Sequence, residues 1–300
     1  MGEEKTKIEP PVDRFGRTVT HLRVSVTERC NLNCPYCHRE GVPVSGSARL
    51  SEETSEGFRK IFNAASRLGI CESIKFTGGE PLLRKDLEEI IGAAKEANFQ
   101  DISLTTNGTL LDEKRAVSLK NAGLSRMNIG CDAISSSVVP KSYERVKSAL
   151  EAASSAKIAP LKINMVLLKG INESDVWRML DVARSYNATL QLIELVSVGD
   201  EPFFKKHYFS LAELEREVEK VAVSKRLRTL QGRTVYHLSD GEVVEFVRSV
   251  HNPRFCASCK KLRITADGGI KTCLLREERI QFSGEVSILK AISLRRPYYG

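Results

Sequence analysis

Between residues 22 and 223, short β-branched runs alternate six times with longer helical stretches. That alternation limits the chain to a mostly parallel sheet with helical crossovers. Strands are expected over 22–27, 73–76, 101–106, 126–131, 161–167 and 189–195, and helices over 52–68, 84–97, 112–122, 142–156, 173–186 and 211–223. In the first strand Leu22, Val24 and Val26 share one face and Arg23, Ser25 and Thr27 the other, the period of two that a strand requires. Ser210 and Glu213 have capping-box spacing at the start of the last helix. Periodicity leaves two α/β architectures open, a doubly wound sheet and an incomplete (β/α) barrel. Beyond about 224 the pattern changes. Runs at 234–237 and 243–248, joined across Ser239-Asp240-Gly241, suggest a hairpin, and a basic, cysteine-containing segment follows from Arg254. The expected organisation is a polar arm over 1–19, a β/α region over 20–224 and a C-terminal region over 225–300.

With 41% hydrophobic residues in 300, the chain can bury a large core, which excludes wholesale disorder. No apolar run approaches membrane-spanning length, and the first twenty residues are too polar for a secretory signal, so a cytoplasmic protein is expected. Its eight cysteines should then be reduced thiols rather than disulfides. The net charge of +8 is uneven: residues 251–300 carry ten Lys/Arg against four Asp/Glu, which points to an anion near the C-terminal end.

Cys30, Cys34 and Cys37 form C-x3-C-x2-C directly after the first strand. Three thiolates on a short loop can hold a cuboidal iron–sulfur cluster and leave one iron open. A zinc site recruiting His38, a haem-attachment C-x-x-C-H and a redox C-x-x-C pair are the alternatives. Position favours the cluster, because other candidate groups also gather at strand ends. Thr77-Gly78-Gly79-Glu80-Pro81 follows the second strand, Thr105-Thr106-Asn107-Gly108 ends the third, and Asp132 follows the fourth. Lys162 and Asn164 lie in the fifth strand and Glu194 at the end of the sixth. Cys256-x2-Cys259-x13-Cys273 is a second trio, and spacing alone does not separate a three-thiolate cluster from a zinc site completed by His251. Lys260, Lys261, Arg263 and Lys271 beside it suit a phosphate-bearing substrate. A nucleic-acid partner is not expected, since no aromatic residues interleave the cations for base stacking.

The first cysteine loop, with Tyr36 inside it and Gly-Gly-Glu-Pro after the second strand, resembles the radical S-adenosylmethionine superfamily. That resemblance implies an incomplete (β/α)6 barrel, with a [4Fe-4S] cluster whose open iron chelates S-adenosylmethionine and yields a 5′-deoxyadenosyl radical. From Asp13-Arg14-Phe15-Gly16-Arg17 to about Leu274, with both cysteine trios and Lys162-Ile163-Asn164-Met165-Val166, the chain is similar to one family within it, GTP 3′,8-cyclase, which acts in molybdenum cofactor biosynthesis. The family resemblance implies a small Cys-rich C-terminal extension over the barrel mouth, carrying a second [4Fe-4S] cluster on Cys256, Cys259 and Cys273. It implies GTP contacts at Arg23, Lys75, Thr105, Lys162, Lys261 and Arg263. It places S-adenosylmethionine at Tyr36, Gly78, Gly79, Glu80, Asn107 and Gly130. The reaction implied is abstraction of the ribose 3′ hydrogen of GTP, addition to guanine C8, and release of 3′,8-cyclo-7,8-dihydro-GTP. An electron donor of unknown identity, a downstream cyclic pyranopterin monophosphate synthase and a homodimer are implied as partners.

The chain departs from the family pattern at several positions. Lys75 stands where arginine is common, Gln191 replaces an arginine near the triphosphate, Gly130 replaces a serine, and Val196 replaces a methionine. Lys260-Lys261-Leu262-Arg263 keeps part of an Arg-x-Arg pair, and the tail ends Pro297-Tyr298-Tyr299-Gly300 without paired glycines. Cys71, Cys131 and Trp177 are expected in the core. The rival functions are a peptide-modifying radical enzyme with auxiliary clusters and a zinc-stabilised nucleic-acid-binding protein.

Overall fold

The structure, a computed structural model, describes residues 8–41, 51–136, 138–197 and 201–299. All six expected strands form: β1 (His21–Ser25), β2 (Ser73–Thr77), β3 (Asp101–Thr106), β4 (Arg126–Gly130), β5 (Leu161–Leu167) and β6 (Ala188–Glu194). Between them run α1 (Ser55–Arg67), α2 (Leu87–Glu96), α3 (Glu113–Ala122), α4 (Tyr143–Ser155) and α5 (Val176–Ser185). The short α6 (Glu201–His207), absent from the sequence expectation, precedes α7 (Leu211–Val221). Local chemistry sets several of these ends. Asp112 caps α3 by accepting the Arg115 N–H at 2.7 Å, and Gly123, at φ +119°, closes it in a conformation a side chain would strain.

The C-terminal region adds β7 (Ala222–Leu227), β8 (Thr234–Leu238), β9 (Val243–Val247), α8 (Pro253–Ala257), β10 (Lys261–Ile264), β11 (Ile270–Lys271), β12 (Arg279–Ile280) and α9 (Glu285–Ser293). The β8–β9 pair is the expected hairpin, and the expected change of pattern at 224 falls inside β7. The strands share one twelve-stranded sheet, ordered β12-β11-β10-β1-β2-β3-β4-β5-β6-β9-β8-β7. Strands β1 to β6 are parallel neighbours; β10 adds parallel to β1 and β9 parallel to β6, so the C-terminal region extends both edges.

Pairing register gives the sheet two chemically different faces. Leu22, Val24, Ile74, Phe76, Ile102, Leu104, Met127 and Ile129 are buried in one cluster with Phe58, Phe62, Ile90 and Ile91 of the helices. Burying each such large side chain is worth about 1.5–3 kcal/mol, so this face holds the sheet to its helices. The opposite face carries Arg23, Lys75, Ser103, Thr105, Asn128, Lys162 and Gln191, brought into neighbouring rows by the same register. All of these but Ser103, whose hydroxyl donates to Ile74 O at 3.2 Å, line a cavity.

Two expectations about single residues change. Trp177 is 45% exposed while Val176 and Leu180 are buried, because those two lie four apart on one face of α5 and Trp177 is turned about 100° from Val176. Cys71 is only half-buried, packed against the core edge, whereas Cys131 is buried as expected. Of the arm expected over 1–19, residues 8–19 lie within the described chain and bury Asp13 and Arg17; residues 1–7 lie outside it. No helix among the described residues is long and apolar enough to cross a membrane.

Candidate active site

A cavity of about 690 Å3 opens on the polar face of the sheet. All six cysteines of the two trios line it, as do Arg23, Lys75, Thr105, Lys162, Lys261 and Arg263. Tyr36, Gly78, Gly79, Asn107 and Gly130 line it as well. Three residues expected near the site do not line it: Lys260, Lys271, whose ammonium donates to Gly41 O at 2.5 Å, and Glu80. Glu80 has a different part. Its buried carboxylate accepts from Thr106 Oγ1 at 2.6 Å, the Asn107 N–H at 2.7 Å and the Leu82 N–H at 3.0 Å. Burial raises its pKa, and these three donors counter the rise by stabilising the anion. Glu80 therefore ties the β2 loop to the end of β3 and sets the position of Asn107.

The first cysteine loop is laced to those strand ends. The N–H of Gly79 donates to Thr27 O and that of Glu80 to Arg29 O, both at 2.7 Å. A Cβ at Gly78, whose φ is +151°, would lie 2.4 Å from Thr27 O, and one at Gly79 would lie 2.1 Å from Arg29 O. Glycine is thus required here for the two loops to touch. Asn107 Nδ2 donates to Asn31 Oδ1 at 2.9 Å and, at 3.9 Å, to Cys30 Sγ. Backbone N–H groups of Leu32 and Arg39 reach Cys30 Sγ and Cys37 Sγ at 3.4 Å. Tyr36 donates to Asp132 Oδ2 at 2.7 Å, and the Lys141 ammonium meets the same oxygen at 2.7 Å. A side chain at Gly130 would fall 3.0 Å from Lys141 Cδ, so this lysine occupies the space that a serine would share.

The cavity lining is predominantly cationic. Twelve Lys or Arg side chains line it against five Asp or Glu. Arg23 and Arg263 share one buried carboxylate, Glu40, at 2.6 and 2.8 Å. Holding Glu40 there requires left-handed backbone at Arg39 and Glu40, with φ of 44° and 51°, at about 1 kcal/mol or more each. Lys75 has an amide neighbour, Asn128 Oδ1 at 3.4 Å; burial first, then Arg126, Arg23 and Lys261, push its pKa well down. Lys162, Arg228 and Arg233 converge on Glu245, whose side chain is fully buried. Burial would raise the Glu245 pKa, but the three cations bring it down to about 2. Burial is also the main reason Lys162 falls to about 8, with Glu245 opposing and both arginines adding to the fall.

Arg228, Arg233 and Glu245 lie on turns and on a late strand, far from any motif, and Glu40, three residues after Cys37, has no spacing that marks it as a partner of distant arginines. Gln191 was expected to leave a charge missing. It faces Glu245 in register, and Arg228 and Arg233 bring cationic charge to that place from the C-terminal region. The tail also returns to the cavity: Tyr298 and Tyr299 line it, with Tyr299 against His251 at 5.2 Å between ring centroids.

The donor sets fit iron–sulfur clusters. All six thiols are free and border the cavity, and N–H groups point at two of the sulfurs of the first trio. Among the described residues, no three His, Cys, Asp or Glu side chains converge as a single metal ion requires.

Comparisons with known proteins identify the family. The profile of the Radical SAM superfamily matches residues 24–183, and that of Molybdenum Cofactor Synthesis C matches 188–289. A "Probable GTP 3′,8-cyclase" of Methanosarcina mazei is 40% identical over 99% of this chain and 92% of its own length. Its namesake from Pyrococcus abyssi is 43% identical over 96% of this chain and 99% of its own. Among solved structures, Streptococcus suis SuiB bound to precursor peptide SuiA superposes with a TM-score of 0.69 at 16% identity. That match covers 91% of this chain but only 64% of SuiB. Native anSMEcpe with bound AdoMet gives 0.59 at 17% identity, covering 91% of this chain and 79% of that one. At such identities these structures speak for the fold, which is that of radical S-adenosylmethionine enzymes. By its sequence, the chain belongs to the GTP 3′,8-cyclase family of the radical S-adenosylmethionine superfamily.

Proposed function

We propose that this chain cyclises GTP to 3′,8-cyclo-7,8-dihydro-GTP in molybdenum cofactor biosynthesis, using two [4Fe-4S] clusters and S-adenosylmethionine. In this reading β1 to β6 are an incomplete (β/α)6 barrel, residues 20–224 carry its chemistry, residues 1–19 are an N-terminal arm, and residues 225–300 cover the mouth. Cys30, Cys34 and Cys37 would hold one cluster and Cys256, Cys259 and Cys273 the other. When bound, the first cluster and S-adenosylmethionine supply the 5′-deoxyadenosyl radical that takes the ribose 3′ hydrogen.

The protein's own work is binding, orientation and charge. Tyr36, held by Asp132, and the backbone at Gly78, Gly79 and Gly130 form the wall beside the first trio. Asn107, positioned by Glu80, donates toward Cys30. Arg23, Lys75, Lys162, Lys261 and Arg263, joined by Arg228 and Arg233, border the cavity and would face the triphosphate there, while Thr105 offers a neutral hydroxyl. The carrying observation is that both cysteine trios and this cation excess border one cavity. A triphosphate offsets part of such an excess, and does so strongly once water is excluded. Electrons come from an external donor, the product passes to a cyclic pyranopterin monophosphate synthase, and the enzyme works in the cytoplasm, as a homodimer.

The test is anaerobic incubation with S-adenosylmethionine, a reductant and each nucleoside triphosphate in turn. GTP should be consumed with 5′-deoxyadenosine formed in step. If 5′-deoxyadenosine accumulates while GTP is recovered intact, the radical chemistry stands and the substrate assignment fails.

A further inference from the structure

The proposed chemistry gives no task to Asp13, Arg17 or Arg295, yet they form one of the most buried ion clusters in the molecule. Their side chains are 0%, 6% and 1% exposed. Asp13 Oδ2 accepts from Arg17 Nε at 2.8 Å and from Arg295 Nη1 at 2.9 Å. Asp13 Oδ1 accepts the N–H groups of Phe15 and Arg17, which folds the segment before β1 around the carboxylate. Each arginine then turns a second donor on the other cysteine loop. Arg17 Nη1 donates to the carbonyl of Cys256 at 3.0 Å, and Arg295 Nη2 to the carbonyl of Cys259 at 2.6 Å. Between those cysteines the Cys259 N–H donates to Cys256 O at 3.2 Å. Both arginines border the cavity, and Arg295 Nε, buried without a partner among the described residues, remains available as a donor.

The two arginines come from opposite ends of the chain, 278 positions apart, and meet on one carboxylate. Two buried guanidiniums would repel each other without it, and a single buried carboxylate would be unpaired without them. The cluster as a whole is cationic by one charge and sits under a loop whose thiols become anionic when they bind metal. We propose that Asp13, Arg17 and Arg295 are positioning residues for the second cysteine trio: a latch, made from both chain ends, that holds the Cys256–Cys259 turn ready for a cluster and offsets its negative charge. This rests on the two-cluster reading above.

The measurement is iron and acid-labile sulfide per chain after anaerobic reconstitution, with electron paramagnetic resonance of the reduced protein. The unaltered chain should hold eight irons, and Cys259→Ala, which removes a ligand of the second cluster, should hold four. Arg295→Met and Asp13→Asn should fall toward four, losing the same resonance that Cys259→Ala loses. The double variant Arg295→Met/Cys259→Ala should hold no less iron than Cys259→Ala alone, because the latch acts only through that loop. Arg295→Lys, which keeps the charge, should retain more iron than Arg295→Met. Eight irons in the latch variants, or a double variant that falls below four, would overturn the proposal. Four irons in the unaltered chain would instead remove the two-cluster reading, and the latch with it.

Discussion

Glu245→Gln tests the electrostatics of the cavity most directly, because it removes one carboxylate from among three cations and little else. The Glu245 pKa lies at about 2 against an ordinary 4.5. That difference, at 1.36 kcal/mol per unit, corresponds to roughly 3 kcal/mol of stabilisation by Arg233, Lys162 and Arg228. It also falls in the ~3–5 kcal/mol range for breaking a buried pair from one side. For a chain of this size, about 3 kcal/mol corresponds to a fall in Tm of roughly 5 °C. Because the folded pKa is depressed, the contribution is complete above the ordinary carboxylate range and is lost as pH falls toward 2. The gap between the parent and the variant should therefore be constant near pH 7 and narrow below about pH 5. Adding GTP without reductant should narrow it too, since phosphate oxygens supply the negative charge that the substituted amide lacks. Differential scanning calorimetry of both proteins, with and without nucleotide, reads all three effects. If the variant melts within a degree of the parent at pH 7, or if GTP raises both by the same amount, Glu245 is not the counter-charge of this cluster and the reasoning fails.

Two further outcomes concern the cysteine loops. Cys30→Ala should abolish formation of 5′-deoxyadenosine, whereas Cys259→Ala should spare some of it and prevent cyclisation; equal losses by product chromatography would contradict the division of labour between the trios. Gly78→Ala should lose iron from the first trio and destabilise the chain by at least about 1–3 kcal/mol, since its φ is +151° and its Cβ would sit 2.4 Å from Thr27 O; iron content and a denaturant melt check both, and an unchanged pair of values would mean that the two loops need not touch.

Much of this was legible along the chain because repetition makes it so. A period of two in β1 already separates Arg23 from its apolar neighbours, and parallel register then carries that separation through Lys75, Asn128 and Lys162. The two cysteine trios and the glycine pair are local patterns, and local spacing constrains what chemistry they can support. Trp177 shows where such reasoning ends: a large aromatic on an amphipathic helix is expected in the core, yet its face depended on where α5 begins. The Glu40 and Glu245 pairings lay further out of reach. A carboxylate that balances arginines from distant strands leaves no periodicity, and its partner is chosen only when the sheet brings them together.

The sequence by itself determined the β/α order, the apolar face of each strand, both cysteine trios and the excess of positive charge near the C-terminus, because each depends on neighbours along the chain. Only the tertiary structure decided that the C-terminal region extends both edges of the sheet, that Arg228 and Arg233 gather where Gln191 carries no charge, and that Asp13 joins Arg17 to Arg295 beneath the second trio. Each of those depends on groups far apart in sequence meeting in a buried place, where an unpaired charge is costly and partners are selected by geometry rather than by order.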